Sequence, residues 1–226
     1  MKKISLCLCA VLFLTATAFA RPIQQNAFLN NFYLGGVFGM EKADIQFDDT
    51  TFAWGHAGVE VGFSGHYFVT DYIGLGLDFH YAGFQGSHKN IWDRSTIPYS
   101  QLKMNLDMET FNLMGAGRIN FNPRAPIRFY MPLATGLVVA HSKFKYKDSN
   151  AHTDLRASDT SLNWGGYVGL GMEYDLYEGA LTLGLETRYN FYRYNYRDLA
   201  QEIQADNHPN KHTYHYMSIL MVASFQ

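Results

Sequence analysis

The sequence predicts an all-β chain folded as an eight-stranded antiparallel up-and-down transmembrane β-barrel, and three observations carry that expectation. Alternation of period two recurs in eight segments, with no helix-period segment of useful length between them. The connections between these segments are short and long in strict turn. One face of each strand is apolar, and the other combines glycine with charge.

Composition sets the frame for these observations. Of the 226 residues 47% are hydrophobic, 16% aromatic and only 17% charged, yet the mean hydropathy is −0.18. The apolar residues are therefore interleaved with polar ones, which excludes a helical membrane bundle built from runs of about 20 apolar residues. The same apolar content excludes a disordered chain. With 18 basic against 20 acidic residues, nothing points to nucleic acid.

The first element is a leader. Lys2 and Lys3 precede an apolar stretch that ends in Ala18, Phe19 and Ala20, an A-x-A site. This predicts a Sec signal peptide over 1–20 and a mature domain over 21–226. Cys7 and Cys9 both lie in the leader, so the exported chain folds without disulfides. Without Lys2 and Lys3 it keeps 16 basic and 20 acidic residues, a formal net charge of about −4.

The strands are expected at about 31–42, 53–67, 73–84, 102–121, 128–142, 161–175, 180–194 and 212–225. Connections at 68–72, 122–127 and 176–179 are short. Those at 43–52, 85–101, 143–160 and 195–211 are long and polar. Short periplasmic turns and longer external loops are the asymmetry of an outer-membrane barrel, and an even strand number puts both termini on the periplasmic side.

The strand faces choose between two kinds of barrel. In the third strand Ile73, Leu75, Leu77, Phe79 and Tyr81 oppose Gly74, Gly76, Asp78, His80 and Ala82. In the seventh, Leu181, Leu183, Leu185 and Phe191 oppose Thr182, Gly184, Glu186 and Arg188. A soluble barrel burying the second face would have little core, whereas a membrane barrel turns the first face to lipid. A soluble, periplasmic, lipocalin-like barrel is the alternative fold reading. Two strands depart from the pattern. The fourth needs a β-bulge at Glu109 and Thr110, or a start above the bilayer, to reconcile Leu102–Met108 with Phe111 and Leu113. The eighth turns Leu220 and Val222 inward.

Two sets of candidate residues follow. Glu60, Asp78, Arg118, Glu173, Glu186 and Arg188 face inward and are expected to form a charge network in the lumen, since an unpaired buried charge costs several kcal/mol. Phe68, Tyr72, Phe129, Tyr174, Trp164, Tyr189, Phe191, Tyr214 and Tyr216 lie toward strand ends, as aromatic girdles at the two interfaces do. Tyr192, Tyr194 and Tyr196 with Arg193 and Arg197 form an aromatic–basic stripe rising into the last loop. Histidines cluster around that loop (His208, His212, His215), but their spacing carries no metal assignment. His141 and Ser142 are an adjacent pair at an external strand end, without an acid to complete a catalytic set. No cofactor and no catalytic residues are expected.

These features resemble the small eight-stranded outer-membrane β-barrel proteins of Gram-negative bacteria, the broad OmpA/OmpX-like superfamily. The residues that carry the resemblance are YFVTDYIGLGL at 67–77, Gly169, Gly171 and Glu173, LGLETRYNF at 183–191, and a final strand ending in Phe225, one residue before Gln226. The resemblance implies lipid and lipopolysaccharide around the barrel, assembly through the C-terminal strand by the barrel-assembly machinery, and a monomer. It specifies architecture more than role, because such barrels serve as anchors, adhesins, evasion factors, small pores and lipid enzymes. The expected role is structural, or surface interaction through loops that meet an external partner, with a closed polar lumen. A small channel for ions or solutes is the alternative.

Overall fold

The computed structural model describes residues 27–39, 46–47, 50–51, 57–89, 102–148, 153–177, 180–194 and 212–225. The leader and most of the long loops lie outside them. The barrel strands are β1 (Phe28–Gly39), β2 (Ala57–Phe68), β3 (Ile73–Lys89), β4 (Leu102–Asn120), β5 (Ile127–Asp148), β6 (Thr153–Tyr177), β7 (Leu181–Tyr194) and β8 (His212–Phe225). A two-residue ladder pairs Gln46–Phe47 with Thr50–Thr51 between β1 and β2.

Each strand pairs antiparallel with its sequence neighbours, and β1 pairs with β8 to close the barrel. The registers fix its geometry. From Leu29 the partners run through His66, Gly76, Ala116, Ala134, Tyr167, Asn190 and Tyr216, and return to β1 at Gly39. One circuit thus advances ten residues along β1, a stagger that tilts the strands by about 40°.

The faces divide as the pleat requires. Phe79, Leu113, Leu137, Val168, Leu185 and Ile219 are exposed on the outside, while Asp78, Asn112, Val138, Tyr167, Glu186 and Leu220 are buried within. On β5 the outward apolar row runs from Phe129 to Val139. At about 3.3 Å per residue and that tilt it spans about 25 Å, the height of a membrane barrel's apolar band. The outside is lipid-facing and the inside is the core.

The short turns are locally built. Thr70 Oγ1 accepts hydrogen bonds from the backbone N–H groups of Tyr72 (3.2 Å) and Ile73 (3.0 Å). Asn122 spans the next turn, accepting from Phe129 N at 2.6 Å and donating to the Ile127 carbonyl at 2.8 Å. Both are turns in which a short polar side chain replaces a missing backbone partner.

Several expectations need correction. The connection expected at 143–160 is mostly strand: β5 runs on to Asp148 and β6 begins at Thr153, paired rung for rung. These polar residues retain two-fold alternation above the lipid-facing band, where facing does not follow hydropathy. Of the two alternatives for the fourth strand, the bulge near Glu109 and Thr110 is absent, because β4 keeps one register through both residues. Met108 is fully buried inside, filling the upper lumen with its flexible side chain. The register shift falls instead between Asp175 and Tyr177, beside the short β6–β7 turn. Phe68, Tyr214 and Tyr216 are not girdle residues. All three point inward and are buried, since they share parity with His66 on β2 and with Ser218 on β8.

Candidate functional site: the lumen

Two clusters of charge lie inside the barrel at different heights. Near the periplasmic turns, Glu173 on β6 accepts a hydrogen bond from Arg128 Nε on β5 at 2.8 Å. Arg118 Nη2 on β4 lies 2.6 Å from the same Oε1 atom. Arg128 Nη1 also faces Asp175 at 3.9 Å, and Arg118 Nε donates to Asn120 Oδ1 at 2.9 Å. The Arg118 guanidinium lies 3.7 Å over the Tyr130 ring. Arg118, Arg128, Glu173 and Tyr130 are all essentially without solvent contact.

The second cluster is centred on Arg188. Its Nε pairs with Glu186 two residues earlier on β7, and its Nη1 lies 3.3 Å from Glu60 on β2 and 3.7 Å from Asp78 on β3. The guanidinium lies over Tyr33 of β1 at 4.0 Å and Tyr167 of β6 at 4.3 Å. Both tyrosines donate to Asp78 Oδ2, at 2.8 and 2.9 Å. Asp78 Oδ1 meets His80 Nδ1 at 2.6 Å. Ser218 Oγ on β8 donates to Glu60, and Asn190 Nδ2 donates to that hydroxyl at 2.8 Å. One arginine on β7 thereby reaches partners on β1, β2, β3 and β6, so the cluster crosses the lumen from wall to wall. Cation–π contact and charge-assisted hydrogen bonds are both strengthened where water is excluded.

Above it lies an aromatic layer. Phe84, Tyr192, Tyr214 and Tyr216 pack edge-to-face or tilted, with centroids 4.9–6.4 Å apart. The Tyr192 hydroxyl reaches the Met108 sulfur. Near the opposite mouth, Leu29 and Phe68 pack together.

The inward glycines make room for these side chains. A Cβ on Gly171 would stand 2.1 Å from the Tyr130 ring, the ring that carries Arg118.

All six inward charges named from the sequence, Glu60, Asp78, Arg118, Glu173, Glu186 and Arg188, are buried. They divide between the two clusters. Glu173 and Arg118 belong to the lower one, and Glu60, Asp78, Glu186 and Arg188 to the upper. Sequence reasoning missed Arg128 and Asp175 as charges, and Tyr33, Tyr130 and Tyr167 as their partners. Arg128 opposes Glu173 in the β5–β6 register, a signal visible only once that register is known. Of the remaining aromatic candidates, Tyr72, Phe129, Trp164, Tyr189 and Phe191 are exposed on the outer wall, and Tyr174 is half-buried there. Tyr189 stacks on His215 and lies within hydrogen-bond distance of its Nδ1 at 2.7 Å. The aromatic–basic stripe divides between faces, with Tyr192 inside and Arg193 outside. His141 and Ser142 are likewise on opposite faces: Ser142 is fully buried, and His141 instead meets Thr160 Oγ1 at 2.7 Å. Tyr196, Arg197 and His208 lie outside the described residues.

Comparison with known proteins agrees with this architecture. The family model described as "Outer membrane protein beta-barrel domain" matches residues 6–217. Comparison with curated proteins gives no match. Among solved structures, the outer membrane protease OmpT from Escherichia coli aligns with TM-score 0.53 at 9% identity, over 88% of this chain and 97% of that one. Neisserial surface protein A aligns with TM-score 0.43 at 13% identity, over 88% and 96%. OprG from Pseudomonas aeruginosa gives 0.43 at 14%, over 90% and 98%. At 9% identity the likeness to OmpT is one of fold. The chain belongs to the outer membrane protein beta-barrel domain family, and its place is the outer membrane of a Gram-negative bacterium.

Proposed function

We propose that this protein is a closed outer-membrane barrel with a structural or surface-interaction role, neither a pore nor an enzyme. The observation that supports this reading is the Arg188 cluster, which joins opposite walls through Glu60, Asp78, Tyr33 and Tyr167. An eight-stranded barrel is only wide enough for its own side chains, and here large buried ones occupy three successive layers. The separation of His141 from Ser142 by the barrel wall leaves that pair without catalytic geometry. The role then falls to the external side. Of the long loops assigned there to a surface partner, 195–211 lies wholly outside the described residues. We further propose a monomer, assembled through β8, whose terminal Phe225 is exposed on the lipid face and pairs with Asn30 at the seam.

The test is solute permeability of vesicles holding the refolded mature chain. The reading expects release of small sugars and amino acids no faster than from empty vesicles. Replacing 195–211 by a short Gly-Ser linker should leave the barrel folded and remove surface binding by intact cells. Rapid solute release would favour the channel reading instead.

A further inference from the structure

The two charge clusters of the lumen differ in balance. The lower one sets Arg118 and Arg128 against Glu173 and Asp175, two charges of each sign. The upper one sets three carboxylates, Glu60, Asp78 and Glu186, against Arg188 alone. All four upper groups are buried, where uncompensated charge is strongly unfavourable. The upper cluster therefore calls for more positive charge, and its hydrogen bonds show where a proton can sit.

Glu60 accepts at both oxygens. Asn190 Nδ2 donates to Ser218 Oγ, which directs the single hydroxyl hydrogen of Ser218 to Glu60 Oε2. Arg188 Nη1 donates to Glu60 Oε1 at 3.3 Å. Glu186 Oε1 accepts from Arg188 Nε. Asp78 Oδ2 accepts from the Tyr33 and Tyr167 hydroxyls, and its Oδ1 faces His80 Nδ1 at 2.6 Å. Each carboxylate is thus an acceptor, as an ionised group is. The Asp78–His80 contact is as short as charge-assisted hydrogen bonds are. His80 is fully buried and is the basic group that remains in this layer among the described residues.

The ring is surrounded by acceptors and hydroxyls. Its centroid lies 6.4 Å from that of Tyr33 on β1 and 6.0 Å from that of Tyr167 on β6. β2 contributes Glu60, β3 Asp78, β7 Glu186 and Arg188, and β8 Tyr216. On the same rung β4 places the neutral Asn112, which donates to the His80 carbonyl at 3.3 Å, and β5 places Val138. Among these groups Arg188 alone repels a proton, against three carboxylates that attract one.

We propose that the Asp78–His80 pair is a proton-binding site, in which His80 is held as an imidazolium and supplies the second positive charge of the upper cluster. With the proton the cluster carries one excess negative charge, and without it two. The folded barrel keeps this proton at neutral pH and the unfolded chain releases it, so stability falls as pH rises. The barrel is thereby locked more firmly in acidic than in alkaline surroundings. The inference rests on the packed lumen of the proposed function. Solute release from vesicles tests that packing separately, so a failure of one is told apart from a failure of the other.

The experiment uses the mature chain, labelled with ¹³C and ¹⁵N and refolded in non-ionic micelles. The ring nitrogens of His80, assigned by correlation to the backbone, report its protonation directly. The expected result is an imidazolium at about pH 7, where a freely solvated imidazole is mostly neutral. In Asp78→Asn the ring should be neutral at the same pH. Urea unfolding, read by heat-modifiable migration, measures the consequence. The wild-type midpoint should fall by about 1 M between about pH 6 and about pH 9. His80→Gln should start lower at the acidic end and lose most of that fall, while His215→Gln, on the outer wall, should keep it. A neutral His80 ring in the wild type at about pH 7 overturns the proposal, and so does a fall of the same size in His80→Gln. The wild-type spectrum decides the matter even where a variant does not refold.

Discussion

Arg188 is the single residue on which most of the lumen converges. Replacing it with alanine leaves Glu60, Asp78 and Glu186 facing one another without their shared counter-charge. Removing one partner of a buried ion pair costs about 3–5 kcal/mol. Arg188→Ala should therefore lower the unfolding midpoint of the refolded barrel clearly, as read by heat-modifiable migration across a urea series. An unchanged midpoint would show that the cluster contributes nothing to stability. Gly171→Val is the complementary test. Its side chain would occupy the space of the Tyr130 ring, displacing it from Arg118. Overpacking of this kind costs about 1–3 kcal/mol, and the combination Gly171→Val/Tyr130→Ala should recover part of the loss in the same assay. At this scale the sequence was partly legible. Period-two alternation put six charges inside, but it could not pair them, because pairing depends on inter-strand register. Nor could it identify Tyr33, Tyr130 and Tyr167 as lumen partners, since a tyrosine suits a girdle, a core or a lipid face alike.

Among the elements, β6 and β8 show what alternation decides and what it leaves open. The outward row of β6 runs from Tyr174 through Met172, Leu170 and Val168 to Trp164 and Leu162, with Val168 near mid-height. Val168→Arg should destabilise the barrel in lipid by about 2–4 kcal/mol, whereas Ser158→Arg, above the apolar band, should be close to neutral. Unfolding in phospholipid vesicles measures both, and equal costs would contradict the assigned depth of the band. On β8, Met217, Ile219 and Met221 set the parity that sends Tyr214 and Tyr216 inward. Nearness to a strand end suggested a girdle, but parity governs facing wherever pairing persists. The same persistence explains why β5 and β6 outrun their expected ends. Hydropathy signals only the lipid-facing portion of a strand, while backbone pairing continues through Lys143, Lys145 and Arg156.

For the molecule as a whole, strand number, order and closure were legible because lipid imposes a two-fold pattern and the loops alternate in length. The ten-residue stagger was not legible, since it is a property of eight registers together. That stagger sets the tilt, and with it the width into which the charged clusters and aromatic layer must fit. The central claim is that those side chains close the barrel. Planar-bilayer recording tests it most directly, comparing the refolded wild type with Arg188→Ala/Tyr167→Ala, which thins the crossing cluster. The account predicts no sustained unitary conductance for the wild type, and current steps at most in the variant. Stable ohmic steps from the wild type, unchanged in the variant, would contradict it.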